Sequence, residues 1–511
     1  MLLINCSRDS ISADMKGAFL TKKRPERAHA YWELHPFDNT NINIQTLEQL
    51  SWILSKICQK PWNFRKNDLL FDENAYTVVM LIEFKVTNFC SIREEQTFSL
   101  VANKADKNLS NCLIQRNLPG LSETKFLKGA AIFGANASGK SNFLDAIRFL
   151  AQLVKLSATR MNAGDEIEVE PFRLDSVSPD QPSQFEVTFA VDSVRYTFGI
   201  AVTSQHVIEE YLTAFPKGYP QRWYRRKYDA DAQAYIWQTS AAGFKHDKEL
   251  ESKTRPNALF LSVAAQFNHP QLTPVFDWFK QHLRFIDLGP DTIFLSNFTK
   301  RLANKNDAYR NRLLTLLQHA DLGIVDMHVD EREIKVEKLK SSAINLGSSE
   351  SDQSEADDNQ KPSLRVEVNL LHTADGVEPV AFDFKDESAG TRRFFALIGP
   401  WMDILEQGYT VFIDEIDSSL HPLLVQELLK MLLCDEHNPN GAQIIFTTHN
   451  VMLLDQTLMR RDQIWFTEKT PVGATRLYPL TDFQPRQDEA LVKGYLAGRY
   501  GGIPFLPEGL T

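Results

Sequence analysis

No stretch of this 511-residue sequence is apolar for long enough to cross a bilayer. The uninterrupted runs, such as Val78 to Ile82, fall far short of the roughly 20 residues that a spanning helix needs. The opening residues, MLLINCSRDS, have no basic start followed by a long apolar segment, so no export signal is read there. Cysteine is scarce and scattered: Cys6, Cys58, Cys90, Cys112 and Cys434 are odd in number and never form a CxxC pair. That excludes a disulfide framework and a structural zinc, and free thiols in a reducing compartment are expected. A basic excess is also missing. Lys and Arg number 56 against 66 Asp and Glu, a net charge of −10, so the surface as a whole is not built for phosphate, although a local basic groove stays open. There is no internal repeat and no long heptad run. What remains is 43% hydrophobic and 24% charged, a globular composition with length for two to four domains, expected to be soluble and cytoplasmic with no membrane partner.

The texture changes at Met80. Before it, only Leu47 to Ile57 carries helical periodicity, and residues 1–79 read as a peripheral N-terminal extension or a start-site artefact. From there Leu81, Phe84 and Val86 open one strand and Phe98, Leu100 and Ala102 a second. Lys128 to Phe133 is a short strand of small and apolar residues running into a glycine turn. Phe143, Ile147, Leu150 and Val154 then follow at the single-face spacing of a buried helix. Phe185, Val187 and Phe189, then Val194, Tyr196, Phe198, Ile200 and Val202, alternate around Asp192-Ser193 as a β-hairpin, and an antiparallel sheet is expected to continue to about residue 240. Residues 272–320 read mainly helical, and 341–362, rich in Ser, Asp and Glu, as a flexible loop.

The strongest chemical signal is Gly134-Ala-Asn136-Ala-Ser-Gly139-Lys140-Ser141, a complete GxxxxGK[ST] between a strand and a helix. Its glycines let backbone N–H groups curl around phosphate oxygens, the lysine balances β- and γ-phosphate charge, and the hydroxyl serves Mg²⁺. ATP and Mg²⁺ are therefore the expected ligands. Tyr409 to Ile413 is an apolar strand ending in Asp414-Glu415, suited to one carboxylate on the metal side and one that orients or deprotonates water. Gln443 to Thr448 is another buried strand, ending in His449-Asn450. Ser388 and Gly390 open an apolar helical stretch; they read either as a phosphate-binding helix start or as a plain N-cap.

Together these four elements resemble the ATP-binding-cassette head of SMC-like DNA-repair ATPases and the fifteenth class of AAA ATPases, stand-alone ATPases related to the OLD nucleases. IEFKVTNFCSIREEQTFSL is similar to that family's opening strand and loop, SAGTR to its signature, VFIDEIDSSLHP to its Walker B and D-loop, and TTHN to its switch histidine. RRDQIWFTEK and KGYLAGRYGGIPFL are family-typical too, and the resemblance runs over residues 80–511. It implies an α/β fold: a P-loop ABC-type ATPase head with a mixed central sheet, an antiparallel β subdomain and a helical insertion. It implies nucleotide binding by Gly134, Asn136, Gly139, Lys140, Ser141 and Asn142, metal binding by Ser141 and Asp414, and catalysis by Glu415 and His449. In a head-to-head dimer, Ser388 and Gly390 would hold the partner's ATP. Two departures stand out. Cys90 occupies a place where relatives often carry arginine, with Arg93 nearby, and the Q-loop is not evident; Gln184 is one candidate, or a solvent-facing strand residue.

The expected division is 80–270 as an N-terminal lobe with the P-loop and antiparallel sheet, 271–340 as a helical insertion, 341–362 as the loop, and 363–511 as a C-terminal lobe. The 62 residues from Asn450 to Thr511 are too few for a nuclease domain of the OLD type. Relatives without a nuclease imply a sensor or scaffold role in bacterial anti-phage defence, with a separately encoded nuclease or toxin as effector and a phage protein as trigger. The rival readings are a repair or chromosome-maintenance ATPase acting directly on DNA and a nucleotide-gated scaffold with slow turnover. The cluster Arg222-Trp-Tyr-Arg225-Arg226-Lys227 mixes cations and aromatics as nucleic-acid surfaces do, or as a charged edge strand does. Asp229-Ala-Asp231 reads as a hairpin turn rather than a metal motif.

Overall fold

The computed structural model describes residues 20–23, 31–34 and 79–504, apart from 240–242, 289–292, 321–322, 335–362, 374–377, 419, 434–435 and 488. The chain divides into two compact units, Met1–Leu70 and Phe71–Thr511. In the first, β1 (Leu20–Lys23) and β2 (Tyr31–Leu34) pair antiparallel. The helix expected over 47–57 and the loop expected over 341–362 lie outside the described residues.

The second unit opens with β3 (Val79–Thr87) and β4 (Gln96–Ser99), then a small pair, β5 (Leu113–Gln115) and β6 (Lys125–Leu127). Next comes β7 (Gly129–Gly134), buried at every residue, leading into helix α1 (Lys140–Leu156). The four apolar positions read at helical spacing, Phe143, Ile147, Leu150 and Val154, are all buried. A run of long strands follows: β8 (Ser183–Val191), β9 (Val194–Val202), β10 (Val207–Phe215), β11 (Gln221–Asp229) and the shorter β12 (Ala234–Gln238). The β8–β9 turn is the expected Asp192-Ser193, both at positive φ (49° and 64°), the two-residue hairpin whose twist matches its strands. These strands form a seven-stranded antiparallel sheet in the order β12-β11-β10-β9-β8-β3-β4.

Three short helices, α2 (Lys248–Lys253), α3 (Phe260–Gln266) and α4 (Thr273–Asp277), and a π-helical turn at Trp278–His282 lead to β13 (Leu283–Asp287). The mainly helical reading of 272–320 holds except at β13, which is a strand in the central sheet. Helices α5 (Ile293–Lys305) and α6 (Asp307–His319) follow as expected. They are succeeded by a three-stranded antiparallel sheet of β14 (Ile324–Ile334), β15 (Ser363–His372) and β16 (Val380–Asp383), so the stretch 271–340 is not helical throughout. The remainder alternates: α7 (Ala389–Gln407), β17 (Thr410–Asp414), α8 (Pro422–Leu433), β18 (Gln443–Thr448), β19 (Ile464–Lys469), β20 (Thr475–Pro479) and α9 (Leu491–Leu496).

The second large sheet has the order β13-β17-β18-β7-β19-β20, parallel from β13 to β19 with β20 antiparallel at its edge. The α/β class with a mixed central sheet and an antiparallel β subdomain is thus as expected. Strands buried on both faces read as continuous apolar runs, which is why β7, β17 and β18 stood out in the sequence. The apolar side of α1 meets the antiparallel sheet: the Phe143 ring lies 5.7 Å from that of Phe84 and 5.4 Å from that of Phe98. Burying a phenylalanine side chain in this way is worth about 1.5–3 kcal/mol. The two sheets are also tied by a side chain acting as a strand. Gln443 accepts from Leu81 N (2.7 Å) and donates to Leu81 O (3.1 Å) and Leu127 O (3.0 Å), at the place where the β3–β8 register shifts.

Helix α7 carries Pro400 in its interior, which removes the N–H that would bond Ala396 O. The buried Thr299 hydroxyl of α5 donates to that carbonyl instead (3.1 Å). Gly399 permits the approach, since a Cβ there would meet Thr299 Oγ1 at 2.3 Å. This crossing docks the helical segment on the helix that begins at Ser388.

Candidate functional site

The parallel strands end together. Gly134 is in register with Thr467, Phe133 with Thr448, and Asp414 with Asp287. Ligands of open α/β sheets collect at this carboxyl edge. The loop from Gly134 to Gly139 wraps the start of α1. At Gly139, φ is 104° and an added Cβ would lie 2.0 Å from Thr475 Oγ1; at Gly134 it would lie 2.4 Å from Thr467 Oγ1. Both glycines are therefore required by close approach, and the loop's shape is set by the hydroxyls of β19 and β20 around it. Ser138 Oγ shares a 2.6 Å hydrogen bond with Thr467 Oγ1, and Thr475 Oγ1 donates to Ser138 O (3.0 Å). Lys140 Nζ donates to Gly134 O (2.9 Å) and Ala135 O (3.0 Å), so its charge lies within the loop. Burial lowers the Lys140 pKa, and the carboxylates of Asp414, Glu415 and Asp417 pull it the other way.

Ser141 Oγ donates to Asp414 Oδ2 (2.7 Å), and Thr447 Oγ1, fully buried, donates to Asp414 Oδ1 (2.5 Å). The same Thr447 oxygen accepts from Glu415 N (2.8 Å). Glu415 has φ of 49°, a left-handed conformation that costs a non-glycine residue about 1–2 kcal/mol. The turn exposes its carboxylate, 3.9 Å from His449 Nε2. Burial, with Lys140 nearby, lowers the His449 pKa, so its imidazole is neutral at neutral pH. Thr448 Oγ1 donates to Asp417 Oδ1 (2.7 Å), fixing the turn after Glu415. On the other flank, Asn142 Nδ2 donates to Ser91 Oγ (2.6 Å), which in turn bonds Thr475 Oγ1 (2.7 Å). The loop between β3 and β4 is thereby held against the start of α1.

The expected site residues Gly134, Gly139, Lys140, Ser141, Asn142, Asp414, Glu415 and His449 thus lie at one edge, with Asn136 exposed on the loop between the glycines. Ser388 Oγ accepts from Thr391 N (3.0 Å) and caps its own helix, while Ser388 itself stays exposed and Gly390 half-buried. Gln184 stands elsewhere: it is exposed on β8 of the antiparallel sheet, lining a polar cleft of about 260 Å³ with Lys85, Glu186 and Tyr211. The cluster on β11 is split: Trp223, Tyr224 and Arg226 face inward, Arg225 is half-buried, and Arg222 and Lys227 are exposed. Arg226 is fully buried and its Nε donates to Glu210 Oε2 (2.8 Å), while Arg225 Nε donates to Glu209 Oε1 (2.7 Å) and Trp223 and Tyr224 are buried. Glu210 also takes the Tyr224 hydroxyl and the backbone N–H groups of Phe260 and Leu261. Asp229 Oδ1 accepts from Asp231 N (3.0 Å), the hairpin-turn arrangement expected. The Cys90 thiol is half-buried and pushed up to about 11 by burial near Asp145 and Glu170, and Arg93 is paired with Glu94.

Sequence reasoning missed the end of β13. Asp287 takes a bidentate grip from Arg148 of α1 (3.0 and 2.5 Å), two turns beyond Ser141. The next carbonyl, Leu288 O, accepts from Arg393 of α7, whose other terminal nitrogen reaches Ser418 Oγ (3.5 Å). The signal was the pentapeptide LRFID, with Leu283, Phe285 and Ile286 apolar, ahead of the sequence Gly289-Pro290, and it was hidden by its helical neighbours.

No set of three or more His, Cys, Asp or Glu side chains arranged to hold a metal occurs among the described residues. One hydroxyl and one carboxylate converging at Ser141 and Asp414 do fit Mg²⁺, a hard cation that takes few protein ligands and completes its shell with water and phosphate oxygens. Among the described residues no helix is long and apolar enough to cross a membrane.

Comparison with curated protein sequences finds no match. Among solved structures, the chain is similar to the SMC head domain from Thermotoga maritima at 14% identity and a TM-score of 0.35, over 78% of this chain and 98% of that one. It is similar to an SMC head bound to the C-terminal winged-helix domain of ScpA at 13% identity and a TM-score of 0.34, over 78% and 96%. It is also similar to CbiO1 from Clostridium perfringens, part of the ABC transporter complex CbiONQ, at 11% identity and a TM-score of 0.29, over 82% and 96%. A protein family described as "AAA domain, putative AbiEii toxin, Type IV TA system" matches residues 130–455, from the P-loop strand β7 to just beyond His449. That span is well over half of the sequence, and the chain belongs to this AAA-domain family.

Proposed function

We propose that this protein is a Mg²⁺-dependent ATPase that works as a head-to-head dimer. The observation that carries the reading is the hydrogen-bonded set Ser141, Asp414 and Thr447 beside a P-loop at the start of α1. Ser141 and Asp414 would hold Mg²⁺, which when bound offsets charge on the β- and γ-phosphates. The loop amides and Lys140 bind the phosphates, Lys140 exchanging its two carbonyl partners for phosphate oxygens. Glu415, exposed and held by the Thr447 hydroxyl through its N–H, orients water and accepts its proton as it attacks the γ-phosphate. Neutral His449, 3.9 Å from Glu415, contacts the γ-phosphate side. Ser388 and Gly390 supply the second wall from a partner copy, and the exposure of Ser388 and Ala389 leaves that helix start open to one. ATP then joins two heads and hydrolysis releases them.

In the cell this cycle would serve anti-phage defence, as the sensor or scaffold that controls a separate toxin or nuclease; the toxin–antitoxin description of the family supports that reading. The burial of Arg226, Trp223 and Tyr224 leaves only Arg222, Lys227 and the half-buried Arg225 of that cluster for the alternative, a DNA-acting ATPase, and takes away the aromatic rings on which bases would stack. The test is turnover and light scattering on the purified chain. Lys140→Ala is expected to abolish ATP binding, and Glu415→Gln to bind ATP, stall, and accumulate as an ATP-dependent dimer. Unimpaired turnover in Glu415→Gln would rule out Glu415 as the base.

A further inference from the structure

The motif RRDQIWFTEK is only partly absorbed by the site described so far. Its alternation sends consecutive side chains of β19 to opposite faces. Thr467 touches Ser138 of the P-loop, and Glu468 turns the other way, accepting from the Tyr478 hydroxyl (3.0 Å) beside the Gly501 turn. Lys469 emerges on the same side as Thr467. Its Nζ donates to Thr475 Oγ1 (3.1 Å), the oxygen that lies against Gly139 and bonds Ser138 O. Lys469 is exposed, among the described residues no carboxylate lies within ion-pair distance of it, and its partial burial lowers its pKa. A cation with two spare N–H donors therefore stands at the flank of a phosphate loop with nothing negative to meet.

The sheet order says which part of a nucleotide it faces. Asp414, Glu415 and His449 lie at the ends of β17 and β18, on one side of the P-loop strand β7, whereas Lys469 ends β19 on the other. The γ-phosphate end belongs to the first side. We infer that Lys469 is a second cationic nucleotide-binding residue, which contacts the α-phosphate and ribose end of the bound nucleotide. In this chain it supplies the charge that Cys90 and the Glu94-paired Arg93 do not.

The inference rests on the ATPase reading, and the test separates the two. Binding of ATP, ADP and pyrophosphate to the full chain is measured by calorimetry for the wild type, Lys469→Met and Lys469→Arg, with turnover at saturating ATP. In Lys469→Met, ATP and ADP are expected to bind about three- to tenfold more weakly, the worth of one partly exposed charge-assisted contact. Pyrophosphate affinity and kcat stay at wild-type values, and Lys469→Arg restores nucleotide affinity. Wild-type ATP and ADP affinity in Lys469→Met overturns the inference. So does an equal loss of pyrophosphate affinity, which would mean that the loop itself had been disturbed. If the wild-type chain binds no ATP, the ATPase reading fails and takes this inference with it.

Discussion

Thr447→Val removes one hydroxyl and almost no volume. The side chain is fully buried, donates to Asp414 Oδ1 and accepts from Glu415 N, so no water stands ready to replace it. Losing a hydrogen bond to a charged group costs about 1.5–3 kcal/mol, and leaving the Glu415 N–H without an acceptor adds about 1–3. Valine recovers part of this by burying a methyl in place of the hydroxyl, giving a net loss of about 2–4 kcal/mol. Against a usual stability of about 5–15 kcal/mol, the variant still folds. The local effect is larger. Among the described residues Asp414 keeps only its Ser141 partner, and the left-handed turn at Glu415 loses one of the contacts that hold it. Turnover is expected to fall about 10- to 100-fold, as when a group that orients a metal ligand is lost, with the KM for ATP little changed because the P-loop is untouched. Thr447→Ser keeps both hydrogen bonds and most of the activity. Steady-state kinetics and urea midpoints of the three proteins measure this, and wild-type turnover in Thr447→Val would refute the reasoning.

Thr299→Val leaves Ala396 O, already deprived of its helical partner by Pro400, with no donor, and is expected to cost about 1–3 kcal/mol; Pro400→Ala in the same chain restores an N–H and should recover much of that loss, and additive losses in the double variant would count against the pairing. Burial holds His282 and His449 below the ordinary histidine range, aided by Arg284 and Lys140 respectively. The unfolded chain therefore takes up protons first as pH drops below about 6.5, and stability falls from there downward toward the folded-state pKa values. The raised carboxyls of Asp145 and Asp403 act in the opposite sense at lower pH. Urea midpoints should be lower at pH 5.5 than at pH 7.5, with a smaller drop in His449→Gln; an unchanged drop would remove His449 from the account.

Much of the site could be read before any coordinates, for a geometric reason. In a parallel sheet the strands end in register, so a residue at the tip of one buried strand lies beside the tip of the next. Gly134, Asp414 and His449 each follow an apolar run, and recognising the runs was enough to bring the residues together. Asp287 was missed because its own strand was missed: β13 has five residues, pairs only with β17, and sits between helical segments whose periodicity dominates any longer window. Arg226 was misread for a different reason. Alternating charge along a strand looks solvent-facing until the neighbouring strand is in place, and only the Glu210–Arg226 register turns that cation into a buried ion pair.

The hydroxyls were the other blind spot, and they show what the strand tips alone cannot supply. Thr447, Thr467 and Thr475 are ordinary β-formers by propensity, and nothing in their spacing separates them from other threonines in the chain. Each instead acts at one atom: Thr447 on both carboxylate residues, Thr467 and Thr475 on the glycine loop. A buried hydroxyl can donate once and still accept, so it can bind a carboxylate and a backbone N–H in the same small volume. A carboxylate in its place would add charge beside Asp414, and an amide would bring a larger side chain into a fully buried position. The chemical groups of the site therefore follow from where strands end, whereas their orientation follows from threonines one or two strands away, on β18, β19 and β20.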